Sequence, residues 1–389
     1  MLYPIKNILV NWVDEMKISK EYLVQLENYF IDAIRDMKSA NLTNYNYGIL
    51  PPYKKEKQSS DFEIMEHVTD HIEVELRCCN AITAGGCRIN INAEDPSDYL
   101  RLEYPINNEL ENSLDKTKDL RWNIILVVRP FERIPTGAPD PEETPPRHPN
   151  ARESYTLSIK PVGQINVSEL GMHHLIIGQI VKQGDRYEVD QKYIPPCTSM
   201  LSHPELKRHY ESFGKYLNDI EIASRRIIQK IQDKEKKIDV AQNTDMLCKH
   251  LMNYIASIYF KYKNTGQFYT PLEITDIFSS FAHTCYICLH YISKKKREEM
   301  LQYFYEWSDM SPGNFTEMLS NMIEISYDHH NIRMVMEQIE LFLSEFSQLW
   351  IKLSELEYVG QHKENIVVAE KVRKVERGPS KATWTILDE

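Results

Sequence analysis

Two hydrophobic periods divide the chain near residue 200. Before that point, apolar and polar residues alternate over short runs. In residues 71–77, Ile72, Val74 and Leu76 alternate with Glu73, Glu75 and Arg77, which is the period of a strand buried on one face. Residues 87–91, 122–129, 155–159 and 175–181 read the same way. One helix interrupts this region: Ser19 suits its N-cap, and Tyr22, Leu23, Leu26, Phe30, Ile34 and Met37 recur at helical spacing as an apolar face. Between the strands at 122–129 and 155–159 lies PTGAPDPEETPPRHP, residues 135–149, with six prolines and no periodicity. Proline has no N–H for a sheet ladder, so this stretch predicts an exposed loop.

After residue 200 the period becomes that of helices. Leu206, Tyr210, Phe213, Leu217, Ile220, Ser224, Ile227, Ile231, Lys234 and Ile238 recur at alternating steps of four and three, and only Ser224 and Lys234 among them are not apolar. A stripe kept over about four heptads belongs either to a coiled coil between copies or to a long helix packed on its own chain. Its spacing is the same in both. Further helices are predicted over 246–262, 271–292, 315–325 and 332–356, and one alternating segment over 365–375 precedes a mixed tail. The predicted fold class is α+β and multidomain. An N-terminal β-sandwich with one helix occupies 1–200, an α-helical neck or bundle 201–356, and a short C-terminal tail 357–389.

Composition narrows what such a chain does. A length of 389 residues suffices for two or three domains with cores of their own. The net charge of −11 argues against nucleic acid and against an anionic membrane as partners, because both are bound through clustered positive charge. The longest basic run, 294–297, is followed by Glu298 and Glu299 and reads as a solvated helix end. Seven cysteines at irregular positions suit a reducing compartment. Neither a secretory signal pattern nor a run of about 18 apolar residues is visible, so a cytoplasmic location without direct membrane insertion is expected.

Candidate chemistry is sparse. HTCYICLH places His283, Cys285, Cys288 and His290 close together. On one helix, however, only residues three or four apart share a face, so Cys285 and Cys288 could ligate together while the histidines point elsewhere. HVTDH (His67, Asp70, His71) has the spacing of an inverted zinc-peptidase motif, but it runs straight into an alternating strand. Ala84-Gly85-Gly86 reads as a turn without the lysine of a phosphate loop. No catalytic, cofactor-binding or metal-ligating residue is therefore assigned, and no cofactor is expected.

Three motifs point further. Trp12-Val13-Asp14-Glu15-Met16, the run HHLIIGQI at 173–180, and YIPPC at 193–197 leading into the long helix together resemble the TssK family, the trimeric adaptor of the type VI secretion baseplate. The resemblance covers about the first 240 residues in motif and the whole chain in layout. Glu15 stands where the family usually has glycine, Lys20, Glu21 and Tyr22 replace its Pro-Gln-His run, and the C-terminal part is shorter than the family's head domain. The resemblance implies a non-enzymatic homotrimer that links wedge subunits of the TssF and TssG type to a membrane-associated complex on the C-terminal side, at the cytoplasmic face of the inner membrane. It casts Trp12, Asp14, Met16, Tyr193, Pro195 and Pro196 as structural joint or interface. The trimer seam would run through Leu206, Tyr210, Phe213, Leu217, Ile220, Ile227 and Ile231. Trp12, read as ending a first strand, suits a sandwich wall or a subunit contact. Asp14 and Glu15 suit the turn before the Ser19-capped helix, and the two prolines fix the exit of the chain from the sandwich. The alternatives are a phage-tail or receptor-binding-type trimer of the same architecture and, more weakly, a zinc hydrolase.

Overall fold

The computed structural model describes residues 4–53, 58–67, 71–105, 120–163, 170–184, 186–234, 238–308 and 310–363. The predicted strand at 365–375 lies outside the described residues. After an extended arm, α1 (Lys20–Ser39) leads, among the described residues, into nine strands: β1 (Gly48–Ile49), β2 (Ser60–His67), β3 (His71–Ile82), β4 (Arg88–Asn92), β5 (Leu100–Pro105), β6 (Arg121–Thr136), β7 (Asn150–Pro161), β8 (His174–Gln183) and β9 (Arg186–Val189). The helices α2 (Pro204–Gln232), α3 (Asp239–Thr265), α4 (Pro271–His290), α5 (Lys294–Trp307), α6 (Pro312–Ile323) and α7 (Ile332–Glu355) follow. The division into strands and then helices is the α+β architecture that the two periods predict.

The strands form two antiparallel sheets. In the first, β3 is the hub: β1 and β2 pair along one edge, β4 and β5 along the other. In the second, the order is β7-β6-β8-β9. Ile72, Val74, Leu76 and Ile89 from the first sheet are buried in the same core as Ile124, Leu126, Leu157 and Ile177 from the second, as alternation on facing sheets requires. The 135–149 stretch caps the long β6–β7 hairpin, where Asp140 and Arg147 make an isolated bridge. His67 ends β2 and His71 begins β3 as its register partner, so these two histidines stand on strands and not on the helix a zinc-peptidase motif requires; Asp70 lies outside the described residues.

Several boundaries differ from those the sequence predicts. The long helix ends at Gln232 and a new one starts at Asp239; Lys234 and Ile238 of the predicted stripe therefore lie between helices. The Lys294 run opens α5 instead of ending a helix, and Met300, Leu301, Tyr303 and Phe304 bury its second half. No strand runs through the arm, and Trp12 is 45% exposed with its ring edge-on to Tyr22 at 6.2 Å. Trp12 is therefore not part of a sandwich wall.

The largest correction concerns the predicted seam between copies. Leu206, Phe213, Leu217, Ile220, Ile227 and Ile231 are all buried within the single chain, covered by α3 and α7. Polar contacts fix the register: the Trp350 indole N–H donates to Ser224 Oγ at 3.0 Å, and Lys230 Nζ donates to the carbonyls of Ser354 and Leu356. Tyr210 is half-buried, stacked on Tyr262 and exchanging phenol-to-carbonyl hydrogen bonds with it. The stripe is apolar because it is the core of its own bundle, and Ser224 interrupts it because a buried indole N–H needs an acceptor.

Candidate interaction surface

The sandwich and the helices meet at a joint built from three distant segments. Ile49 N–H donates to the Pro196 carbonyl at 2.7 Å, and Thr198 N–H returns a bond to Ile49 O at 2.9 Å, a short parallel rail completed by the Ile49–Cys197 bridge. Pro195 and Pro196 are buried in it; having no N–H, they leave no donor to satisfy there. Gly48 (φ 114°) is required, since a Cβ would stand 2.0 Å from the Pro196 carbonyl oxygen. The third segment precedes α7: His329 Nε2 bonds Tyr47 O at 2.9 Å, His330 Nε2 bonds the Tyr47 hydroxyl at 3.0 Å, and Tyr327 bonds His329 Nδ1 at 2.8 Å. Burial lowers the His329 pKa to about 4 and raises that of the Tyr193 phenol.

A cleft of about 310 Å³ opens beside the joint, lined in part by Arg121, Asp190, His330 and Arg333. Arg121 stands 3.6 Å from Asp190, and Arg333 lies 2.7 Å from Glu337, so these cations already face carboxylates. The cysteine candidates are equally quiet. Cys285 and Cys288 are buried while His283 and His290 are exposed on the other side of α4, and burial pushes both thiols up, Cys285 far above the usual range. Among the described residues, no group of three or more His, Cys, Asp or Glu could hold a metal ion. Cys87 Sγ lies 3.1 Å from His173 Nδ1, yet burial raises the thiol pKa to about 11 and lowers that of the imidazole. The pair is neutral and packed, unlike an activated nucleophile.

The N-terminal arm and α1 are of a different kind. The helix docks by its polar side: Asp32 and Arg35 are buried, whereas Leu23, Phe30, Ile34 and Met37 are 49–65% exposed. Four of the six residues of the predicted apolar face are therefore outward, while Tyr22 and Leu26 are half-buried. The Asp32 carboxylate is the anchor, accepting the Lys6 N–H at 2.7 Å, the Asn7 N–H at 3.0 Å and Arg35 Nε at 2.8 Å. Burial by itself would raise its pKa, but these hydrogen bonds pull it down to about 2. Arg35 Nη1 goes on to the Gly85 carbonyl, and Gly86 (φ 86°) lets the turn approach the helix, because a Cβ there would lie 2.4 Å from Arg35 O. Arg133 on β6 reaches Glu27 and Asn28. With Lys6 and Asn7 at Asp32 and Trp12 at Tyr22, the arm lies alongside the helix. Its Ile8, Leu9 and Val13 are 59–80% exposed. Asp14 and Glu15 form a turn in which Glu15, at φ 65°, is the one non-glycine residue with positive φ among the described residues. Met16 is half-buried, its N–H bonded to Val13 O.

Sequence reasoning singled out Trp12, Asp14 and Met16 on the arm, and Tyr193, Pro195 and Pro196 on the joint. The structure keeps these groups apart, and it adds Tyr47, His329 and His330 to the joint and Asp32 and Arg35 to the arm. Opposite charges three apart, Asp32 and Arg35, on the side of the helix away from Phe30, Ile34 and Met37 were the sequence signal for the Asp32 anchor.

A two-sheet sandwich joined by a proline-bearing rail to a helical bundle defines the class of fold. No family model matches the chain and no curated protein matches it. Among solved structures, a crystal structure of TssK matches with a TM-score of 0.53 and 15% identity, over 87% of this chain and 69% of that one. A TssK of the type VI secretion system of EAEC, bound to a nanobody, matches with a TM-score of 0.47 and 13% identity, over 83% and 67%. A chain of a TssK-TssF-TssG baseplate subcomplex matches with a TM-score of 0.46 and 11% identity, over 88% and 99%. The first of these carries the comparison: the fold is like that of TssK. No helix among the described residues is long and apolar enough to cross a membrane.

Proposed function

We propose that this chain is a non-enzymatic structural subunit of a type VI secretion baseplate. The observation that carries the proposal is the likeness of fold to TssK across 87% of the chain, joined to the motifs at 12–16, 173–180 and 193–197. In this reading the protein is a homotrimeric adaptor at the cytoplasmic face of the inner membrane. The sandwich and its proline-tipped β6–β7 hairpin contact wedge subunits of the TssF and TssG type. The helical end, with the tail from 357, is turned toward a membrane-associated complex. The buried, protonated cysteines and the paired charges of the cleft support a role without catalysis.

The test is capture. The full chain, co-expressed with the TssF- and TssG-type proteins of its own cell, retains both through affinity purification, and removing the tail from Gly360 leaves that capture intact. Failure of the full chain to retain either protein contradicts the proposal.

A further inference from the structure

The cleft of about 310 Å³ beside the joint offers more hydrogen-bonding capacity than its own walls use. One wall is the outer face of the second sheet, where Asn123 of β6 and Gln179 of β8 are register partners. Asn123 is 5% exposed and its Oδ1 already accepts Gln179 Nε2 at 2.8 Å, so its amide N–H groups are the end left for a ligand. Across from it, His330 Nε2 meets the Tyr47 hydroxyl while Nδ1 is buried without a partner. Buried polar atoms in that state call for a partner the chain does not supply.

Charge and dipole point the same way. Among the described residues, Arg121 and Arg333 line the cleft against one carboxylate, Asp190, 3.6 Å from Arg121. Glu337 stands outside the lining and takes Arg333 through Nε at 2.7 Å, which leaves the two Nη groups unspent. His330 adds no charge, because burial lowers its pKa. Asn331, the N-cap of the 24-residue α7, also lines the cleft, and its side chain makes no cap; the first N–H groups of such a helix favour negative charge. The remaining wall includes Ile176 and Ile194, both buried.

We infer that this cleft binds a carboxylate group carried on a short aliphatic chain, with Arg121, Arg333, the Asn123 amide and the start of α7 holding the carboxylate and Ile176 and Ile194 taking the methylene carbons. Two guanidinium groups against one carboxylate leave a single positive charge in excess, which one further carboxylate balances. A phosphate, with a charge of about −1.5 to −2 at pH 7, would be left in surplus, and inorganic phosphate has no carbon for the apolar wall. At roughly 30 Å³ per water, the volume holds on the order of ten water-sized groups, room for a small aliphatic acid. The same chemistry is presented by a free acid and by a glutamate side chain of a bound protein segment. The inference goes beyond the proposed function and stands without it.

The experiment is isothermal titration calorimetry of the full chain at pH 7 and fixed ionic strength. The probes are glutaramate, which carries one carboxylate on a three-methylene chain, its neutral counterpart glutaramide, inorganic phosphate, and the capped peptide Ala-Ala-Glu-Ala-Ala. Glutaramate is expected to bind and glutaramide is not. A peptide that binds at least as well as glutaramate assigns the carboxylate to a protein partner, and a peptide that does not bind assigns it to a free acid. Arg333→Gln weakens glutaramate by about 10-fold or more. Arg129→Gln removes the same charge from an exposed pair with Glu132 and leaves the affinity within about twofold, since a distant exposed charge is screened. Asn331→Asp gives the cleft a carboxylate of its own where aspartate caps a helix well, so this variant folds and no longer binds glutaramate. Four results each overturn the inference: no binding of glutaramate, glutaramide or phosphate bound as tightly as glutaramate, equal losses in Arg333→Gln and Arg129→Gln, or an Asn331→Asp chain that binds glutaramate as the native chain does.

Discussion

Helices α1 and α2 carry apolar stripes of one spacing and stand in opposite surroundings. The α2 stripe is sealed by α3 and α7, with Trp350 hydrogen-bonded to Ser224 inside it, whereas α1 turns its stripe outward and docks through Asp32 and Arg35. Periodicity states that a helix has an apolar face; it does not state which molecule covers that face. The polar residues decide the matter. A serine interrupting the α2 stripe serves a buried indole, and a buried ion pair opposite the α1 stripe marks the docked side.

The sharpest way to break the comparison is to place the same charge in each stripe. Leu217→Asp or Ile220→Asp buries a carboxylate in the α2 core and costs several kcal/mol, so the helical region loses its cooperative denaturant transition. Phe30→Glu changes the stability of the isolated chain by no more than about 0.5 kcal/mol. Equal losses at both places would erase the distinction.

Next in size is the anchor. Asp32→Ala removes one carboxylate from Arg35, which keeps Asp36 at 3.8 Å and the Gly85 carbonyl, and releases the Lys6 and Asn7 N–H groups, at a cost of about 1–3 kcal/mol. Limited proteolysis then cuts the arm before the sandwich, and an arm as resistant as the native one contradicts the assigned contact.

A third effect comes from the joint, as pH. His329 has a folded pKa near 4, below its ordinary value of about 6.5. Its contribution is fully present above about pH 6.5 and is lost as pH falls toward 4, because the unfolded chain takes up the proton first. Stability falls by about 1.4 kcal/mol per pH unit in that window. Urea titrations at pH 7 and pH 5 read the difference, and His329→Gln reduces it, leaving the share due to His203 and the other buried histidines. The smallest effect is at Glu15, where glycine relieves a left-handed backbone and stabilises by about 1 kcal/mol.

What the sequence made legible follows from which forces are local. The alternation in β3, β6 and β8 and the stripe of α2 were readable because each buries one face at a fixed period. The strands β2 and β5 carried the same signal in Phe62 and Ile64, and in Leu100, Leu102 and Tyr104, and went unread. β1 and β9 are too short for any period. Three lysines at the start of α5 hid a helix whose core residues all come later. The joint was not legible beyond its prolines, since the Tyr47 contact with His329 spans 282 residues. Nor was the direction of α1, since the same stripe would serve a core or a neighbour.

Native mass spectrometry of the full chain co-purified with its TssF- and TssG-type proteins tests the account at its centre. We predict one particle containing several copies of this chain together with both partners. A chain recovered alone and as a monomer would contradict it.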